Sequence, residues 1–256
     1  MSNTADWTIE WIAKEDVDHI VRKSFAGAIR KLKSKKEKNL QTDPTLVIAL
    51  SSLLDLPYER VTRIADDVSV VKSLQNAIGN FHQEILGAVS GWKSTGSRGG
   101  VFDIYSEDKV ALAGNRAVLA EVKMRYNTIK ASDEAKTWDK LKDQVSSRGG
   151  GSQCVAYLIQ IVPKTQEPYD RPWKVSGRNP LPYVRCVDGT TAYHLVTGVP
   201  NALSQLLHAL PAVFKEIVED ADSSEFDQTN LITNVYIDHA IEQSLPPQSA
   251  LVDNSR

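Results

Sequence analysis

Residues 154–162 read CVAYLIQIV, in which Gln160 is the one strongly polar side chain. An almost unbroken apolar run of this length is typical of a strand that is covered on both faces. A second run, RAVLAEVKM at 116–124, has the pattern of a longer strand, and a segment with Trp138 and Leu141 at helical spacing lies between the two. The sequence therefore predicts an α/β domain with a mixed β-sheet, a crossover helix and flanking helices.

Shorter β patterns and turn residues surround these two runs, and we expect the sheet region to occupy residues 93–187. Ser132 is a favourable N-cap for the crossover helix, which we expect to end at the glycines of 149–151. Further strands are predicted at 101–105, 110–113 and 183–187, with loops at 93–100 and 163–182.

The first 92 residues are predicted to be helical, because apolar residues recur there at the spacing of one helix face. Asp43-Pro44 and Pro57 mark the turns between three helices. A closing amphipathic helix is expected at 200–220 and a disordered tail at 245–256. We see no linker that divides the chain, so the sequence predicts a single domain over 1–256.

Composition excludes several classes of protein. Thirty Lys and Arg against 32 Asp and Glu leave a net charge of −2, so attraction to nucleic acid needs local basic patches. Two cysteines are too few for a zinc cluster or a disulfide framework. Polar residues open the chain and no apolar run reaches the length of a membrane span. We expect a reduced, cytoplasmic protein without membrane association.

Three charged residues in the β region form the pattern with the clearest chemistry. Asp103 lies within an apolar stretch, and Glu121 and Lys123 alternate within the longer strand, so both project from one face. If Asp103 faces the same side, two carboxylates and an ammonium converge, an arrangement suited to Mg²⁺. The alternative is that Glu121 and Lys123 are an ordinary pair on a solvated face.

This pattern resembles the PD-(D/E)-x-K nuclease signature, although Phe102 stands where many members carry proline. The run EVKMRYNT at 121–128 is similar to one family in particular, the type II restriction endonucleases that cut GGNCC-type sites. Similar stretches are the basic helix at 22–40, IGNFHQE at 78–84 and Gly91-Trp92, so the resemblance spans roughly residues 15–165. Met124-Arg125 departs from the Asn-Lys that is usual after the catalytic lysine.

The resemblance implies a restriction-endonuclease-like core and assigns roles to the charged cluster. Asp103 and Glu121 would bind Mg²⁺, and Lys123 would assist the attacking water. Glu84, on a helix ahead of the first predicted strand, would add a further acid near the metal. The alternative for Glu84 is a solvated helix acid.

DNA contacts are predicted from residue type and position. The basic helix is a candidate for phosphate binding, with an ordinary solvated face as the alternative, and arginines after the buried strand are candidates for reading guanine. Residues just after Lys123 are candidates for phosphate or base contacts, or for a turn. The predicted DNA-binding residues are Arg22, Arg30, Lys31, Lys33, Lys35, Lys36, Arg125, Asn127, Thr128, Lys130, Arg171, Arg178 and Arg185.

The sequence thus predicts a homodimeric, Mg²⁺-dependent type II restriction endonuclease that cuts double-stranded DNA. A palindromic site and a small subunit both suit two-fold symmetry, and a cognate methyltransferase is expected to be encoded nearby rather than bound. Two alternatives stay open at this point. One is another nuclease of the same fold, acting in DNA repair or junction resolution, and the other is a non-catalytic DNA-binding or protein-interaction module.

Overall fold

A computed structural model describes residues 7–33, 44–54, 57–96, 100–220 and 233–247. The described part of the chain is a mixed α/β structure, which confirms the predicted fold class. Its helices are α1 (Lys14–Lys33), α2 (Pro44–Leu54), α3 (Tyr58–Ala88), α4 (Ala131–Ser147), α5 (Gly189–Thr197), α6 (Ala202–Asp220) and α7 (Asn234–Ser244). Its strands are β1 (Trp92–Ser94), β2 (Ile104–Ser106), β3 (Ala117–Arg125), β4 (Cys154–Val162), β5 (Asp170–Pro172) and β6 (Val184–Asp188).

These strands form one mixed sheet in the order β1-β2-β3-β4-β6-β5. The central pairs β3–β4 and β4–β6 are parallel, and the outer pairs β1–β2, β2–β3 and β5–β6 are antiparallel. Helix α4 is the crossover between β3 and β4, as the sequence predicts. Glu121 lies opposite Leu158 and Lys123 opposite Gln160, so the charged end of β3 runs beside the last third of β4.

The core of the sheet is strand β4, in which every residue except Gln160 and Val162 is buried. Its side chains Ala156 and Leu158 belong to an apolar cluster with the α4 residues Trp138, Leu141 and Val145. Burial of these side chains fixes α4 over one face of the sheet, since apolar area removed from water is the main stabilising term. The prediction of a fully covered strand is confirmed.

Several predicted boundaries in the sheet region are wrong. The strand expected at 101–105 begins at Ile104, and the strand expected at 110–113 is one bridge, Val110 to Arg116, followed by a 3-10 turn. The loops expected at 93–100 and 163–182 contain the short strands β1 and β5. Three-residue edge strands are too short to show a period in the sequence, and they form here by pairing, β1 with β2 and β5 with β6.

Helix boundaries also differ from the prediction at three places. Lys130 rather than Ser132 is the N-cap of α4. Helix α5 was not predicted, although Asp188 caps it by accepting a hydrogen bond from the Thr191 N–H at 3.0 Å. Helix α7 was not predicted either, and Thr233 caps it. Both helices follow a capping residue but are short, so their apolar period spans few turns.

The contacts divide the chain into two compact units, Met1–Ile20 with His82–Arg256 and Val21–Phe81. In the larger unit, Lys14 forms an ion pair with Glu216 at 2.6 Å, and Trp11 packs edge-on against Tyr193 at 6.0 Å between ring centroids. In the smaller unit, Phe25 packs against Phe81 at 5.9 Å. The single domain over 1–256 stays a prediction. None of the described helices has both the length and the apolar character needed to cross a membrane.

Candidate active site

Strand pairing places Asp103 directly beside the charged part of β3. The Asp103 backbone N–H donates to the Ala120 carbonyl at 2.9 Å, which continues the β2–β3 ladder by one residue. The side chain then turns over β3, and its Oδ2 accepts a hydrogen bond from the Val122 N–H at 2.7 Å. The Asp103 carboxylate is therefore held beside Val122, the residue between Glu121 and Lys123 in β3. Asp103 itself lies one residue before the start of β2.

Glu121 and Lys123 contact each other on the same face of β3. The Lys123 Nζ lies 2.7 Å from the Glu121 Oε1, and the two side chains are 29% and 13% exposed. A pair this well covered differs from an ordinary pair on a solvated face, and a catalytic role for the two residues stays a prediction. Their position near the carboxyl end of a central parallel strand is where ligand sites form in α/β sheets.

A fourth charged residue, Lys140, joins this cluster from α4. Its Nζ lies 3.8 Å from the Glu121 Oε2 and donates a long hydrogen bond of 3.5 Å to the Gly100 carbonyl. Sequence reasoning missed Lys140, because it is one of several charged residues on an amphipathic helix. One feature of the sequence could have indicated Lys140. It directly precedes Leu141 of the apolar stripe, so it lies at the edge of the helix face that packs on the sheet.

The electrostatics of the cluster destabilise the charge on Asp103. Burial raises the pKa of the Asp103 carboxyl above its ordinary value, and the Glu121 carboxylate adds to the rise. The hydrogen bond from Val122 and the charges of Lys123 and Lys140 act in the opposite direction and are weaker. A half-buried carboxylate whose charge is incompletely compensated gains from an added cation.

Glu84 lies on α3 close to the strand that leads into the cluster. Its Oε1 accepts a hydrogen bond of 3.4 Å from the Ser94 hydroxyl, and the next residue, Thr95, donates its N–H to the Asp103 carbonyl at 2.8 Å. Helix and strand approach closely because Gly87 has no side chain, since a Cβ there would lie 2.4 Å from the Ser94 nitrogen. The structure thus connects Glu84 to the Asp103 segment through Ser94 and Thr95.

Two carboxylates, those of Asp103 and Glu121, are available to a metal ion. Across the described ranges, no group of three or more His, Cys, Asp and Glu side chains is placed to hold a metal. The Asp103–Glu121 pair still fits Mg²⁺, which keeps several waters and is typically bound through one or two carboxylates and substrate phosphates. Carboxylate oxygens are the hard ligands that this ion prefers, and a bound cation would offset the burial and the Glu121 charge that raise the pKa of Asp103.

Most of the described residues predicted to bind DNA are exposed. The Thr128 hydroxyl donates to the Arg125 carbonyl at 2.7 Å, so Thr128 also closes a turn, and the Arg171 guanidinium lies 4.9 Å from the centre of the Tyr169 ring. Lys35 and Lys36 lie outside the described residues, as do the side chains of Lys31 and Lys33. The exposed members are Arg22, Arg30, Arg125, Asn127, Thr128, Lys130 and Arg171.

Arg178 and Arg185 form ion pairs within the protein. Arg178 binds Asp139 of α4 through two hydrogen bonds, of 2.7 and 2.6 Å. Arg185 binds Asp170 of the neighbouring strand β5 and also donates to the Pro182 carbonyl at 3.2 Å. A DNA contact by either guanidinium stays a prediction and requires these pairs to open.

Comparison with known proteins identifies the family of this chain. A family model described as Eco47II restriction endonuclease matches residues 9–219. The type II restriction enzyme Eco47II of Escherichia coli is 31% identical over 224 residues, which are 83% of this chain and 89% of that enzyme. The chain belongs to the Eco47II restriction endonuclease family. The type II restriction enzyme Sau96I of Staphylococcus aureus is 20% identical over 176 residues, 65% of this chain and 63% of that enzyme.

Membership in the Eco47II family confirms the activity predicted from the sequence. The protein is a type II restriction endonuclease, a site-specific deoxyribonuclease that acts on double-stranded DNA. A divalent metal ion is the cofactor typical of such enzymes. The family match also corrects the extent of the resemblance, which we expected to span roughly residues 15–165. It continues through β6, α5 and most of α6, so the family fold includes the closing helix.

Proposed function

We propose that this protein hydrolyses phosphodiester bonds in both strands of a short palindromic, GC-rich DNA site of the GGNCC type, with Mg²⁺ as cofactor. The observation that carries the proposal is the convergence of Asp103, Glu121 and Lys123 at one place on the sheet. The GGNCC assignment rests on the resemblance of residues 121–128 to enzymes with that specificity. The cation rests on the fit between two carboxylates and the oxygen ligands of Mg²⁺.

Asp103 and Glu121 would hold the ion in this mechanism. When bound, Mg²⁺ supplies positive charge to the phosphate and lowers the pKa of a water. Asp103 is kept in place by its hydrogen bond from the Val122 N–H. Lys123, whose ammonium pairs with Glu121, orients the attacking water and stabilises the negative charge that develops on its oxygen. Glu84, linked to the Asp103 segment through Ser94, would contribute a further acid on the α3 side of that segment.

DNA binding is assigned to exposed basic and polar side chains. Phosphate contacts from the basic helix hold the duplex without regard to sequence, whereas arginines after β4 read bases. Of these, Arg171 is exposed and its guanidinium is stacked on Tyr169, so it is the best candidate for guanine recognition. Arg125, Asn127, Thr128 and Lys130 follow the catalytic strand at the exposed turn and are assigned to the DNA backbone.

We further propose a homodimer in the cytoplasm. A palindrome presents the same half-site twice, and a two-fold dimer places one Asp103–Glu121 cluster on each strand. The host DNA is protected by a cognate methyltransferase encoded nearby, which recognises the same site and does not bind this protein. Sedimentation of the purified protein at micromolar concentration tests the dimer, and a monomer in the presence of cognate DNA would contradict it.

Plasmid digestion tests the proposed function. A plasmid of known sequence is incubated with the purified protein in Mg²⁺ and, in parallel, in a chelator. We expect discrete fragments in Mg²⁺ whose ends map to GGNCC-type sites, and intact plasmid in the chelator. A smear would indicate a non-specific nuclease of the same fold, and binding without cutting would indicate a non-catalytic module. Discrete ends at another sequence would contradict only the assigned site.

A further inference from the structure

Two lysines approach the same carboxylate in this site, from different elements. Lys123 of β3 hydrogen-bonds to the Glu121 Oε1 at 2.7 Å. Lys140 of α4 approaches the Glu121 Oε2 at 3.8 Å, beyond hydrogen-bonding distance. The Glu121 carboxylate therefore already accepts a short hydrogen bond from Lys123. Lys140 adds positive charge near it without a second short hydrogen bond.

The ammonium group of Lys140 has donors to spare within the described part of the chain. Its contacts there are the 3.8 Å ion pair and the 3.5 Å hydrogen bond to the Gly100 carbonyl. An ammonium has three N–H donors, and neither contact is short enough to be strong. The side chain is 37% exposed, so the group is accessible to a ligand that enters the site.

Helix α4 holds Lys140 firmly against the site. Trp138 and Leu141, on either side of it in the chain, are 4% and 0% exposed and pack in the apolar cluster under α4. The start of the Lys140 side chain is therefore fixed, while its ammonium end can move by the few ångströms that a four-carbon stem allows. This combination suits a residue that exchanges one partner for another.

Charge balance indicates what that second partner is. Without a metal ion, the carboxylates of Asp103 and Glu121 balance the ammonium groups of Lys123 and Lys140. A divalent cation bound by the two carboxylates leaves the cluster strongly positive, with two ammonium groups in excess. A DNA phosphate carries negative charge, and hydrolysis develops more of it on the phosphate oxygens.

We propose that Lys140 is a second active-site lysine, which leaves Glu121 when the cation binds and then contacts the phosphate that is cut. The proposal rests on the proposed function, because it takes Asp103 and Glu121 as the metal site. It makes Lys140 a binding group for the scissile phosphate, whereas Lys123 acts on the water. Lys140 also opposes premature metal binding, since its charge repels a cation in the absence of DNA.

Three variants on α4 test the phosphate contact. Lys140→Met removes the charge, Lys140→Arg keeps it, and Lys136→Met is the matched control, because Lys136 is 82% exposed and pairs with Asp133 of its own helix. We expect cleavage in Mg²⁺ to fall about 10²-fold in Lys140→Met, partial recovery in Lys140→Arg, and wild-type rates in Lys136→Met. The log–log salt slope of cognate DNA binding in Ca²⁺ should fall by about one in Lys140→Met alone.

Metal titration without DNA gives an outcome that a merely structural role would not produce. We expect Lys140→Met to bind Ca²⁺ about tenfold more tightly than the wild type, because a positive charge beside the site is removed. A variant that cuts more slowly yet binds metal more tightly supports the proposal. Unchanged metal affinity, an unchanged salt slope or wild-type cleavage in Lys140→Met would overturn it. Full cleavage by Glu121→Gln would instead overturn the proposed function.

Discussion

Helix α4 contributes to two carboxylate–cation clusters that differ in how well their charges are compensated. In the catalytic cluster, burial and Glu121 raise the pKa of the Asp103 carboxyl, so its charge is unfavourable in the folded protein. In the second cluster, Arg178 binds Asp139 through two short hydrogen bonds and lowers the pKa of that carboxyl. Helix α4 thus contributes to one cluster whose half-buried carboxyl is disfavoured in its charged form and to one whose carboxylate is stabilised by its ion pair.

The difference shows how a ligand site can be distinguished from a structural ion pair. Arg178 and Asp139 use two donors and two acceptors on each other, so few of their hydrogen-bonding groups are left for a ligand. The half-buried carboxylates of Asp103 and Glu121 keep an unfavourable interaction that a divalent cation relieves. Functional sites are commonly maintained at such a cost in stability.

The largest expected effect is on cleavage. Asp103→Asn, Glu121→Gln and Lys123→Met should each lower the rate of plasmid cleavage in Mg²⁺ by about 10³-fold or more, since each removes a charge that acts on the reacting phosphate or water. Asp143→Asn is the control, because Asp143 is a 70% exposed carboxylate on α4. Circular dichroism verifies the fold of each variant. Near wild-type cutting by folded Asp103→Asn would contradict the assignment.

The next effect concerns the basic helix predicted at 22–40, whose described part belongs to the smaller unit. Replacing Lys31, Lys33, Lys35 and Lys36 by glutamine should weaken binding to cognate and unrelated DNA alike. The log–log salt slope should fall by about one for each lost phosphate contact, about four in all. Fluorescence anisotropy in Ca²⁺ at several salt concentrations measures the slope. An unchanged slope would indicate that these lysines are ordinary solvated residues that do not contact DNA phosphates.

A comparison of two arginines tests whether an ion pair predicts a structural role. Arg171→Ala should weaken cognate binding about tenfold relative to unrelated DNA, at an unchanged Tm, because one base contact is lost. Arg178→Ala should lower the Tm, because it removes the pair with Asp139. Binding assays and thermal melts of both variants measure this. Loss of cognate affinity in Arg178→Ala at an unchanged Tm would show that the pair opens onto DNA.

The smallest effect is on stability in the absence of metal. Because the pKa of Asp103 is raised, folding binds a proton there, and stability falls as pH rises from the ordinary carboxyl pKa through the raised one. Asp103→Asn should therefore be more stable than the wild type at pH 7, by on the order of 1 kcal/mol, and the gain should vanish in acid.

Asp139 should show the opposite sign in the same measurement. Its lowered pKa contributes stability above the ordinary carboxyl value, and this stability is lost as pH falls through the lowered value. Asp139→Asn should therefore have a lower Tm than the wild type at pH 7, and the difference should close in acid. Thermal melts in a chelator between pH 3 and pH 7 (roughly the range of carboxyl titration) measure both variants. A destabilised Asp103→Asn at pH 7 would contradict the comparison.

Much of the fold could be predicted because strong periodic signals dominate it. The apolar run of β4 and the pattern of β3 correctly predicted two strands of a mixed sheet joined by a crossover helix, and in the structure these strands pair in parallel. The edge strands β1 and β5 could not be predicted, because three residues carry no period and these segments become strands only by pairing with β2 and β6. Lys130 rather than Ser132 caps α4, since the position of a cap depends on where the preceding turn ends.

The positions of the site residues likewise depend partly on local sequence and partly on packing between elements. Glu121 and Lys123 are two residues apart, and strand geometry alone places them on one face. Asp103 lies close to them because β2 and β3 pair antiparallel, an arrangement that the short connection between these two strands favours. Lys140 comes from another element, and its approach to Glu121 depends on how α4 crosses the sheet. The sequence places Lys140 beside Leu141 of the packed face, but it does not give the angle at which α4 crosses the sheet.

The most direct test of the central claim measures metal binding to the free protein. Thermal melts with and without millimolar Mg²⁺ or Ca²⁺ are compared for the wild type, Asp103→Asn, Glu121→Gln and the control Asp139→Asn. If Asp103 and Glu121 hold the cation, saturating metal should raise the Tm of the wild type and of Asp139→Asn by about 5 °C or more. The shift should be absent in Asp103→Asn and Glu121→Gln. An undiminished shift in either of those two variants would place the metal elsewhere and contradict the account.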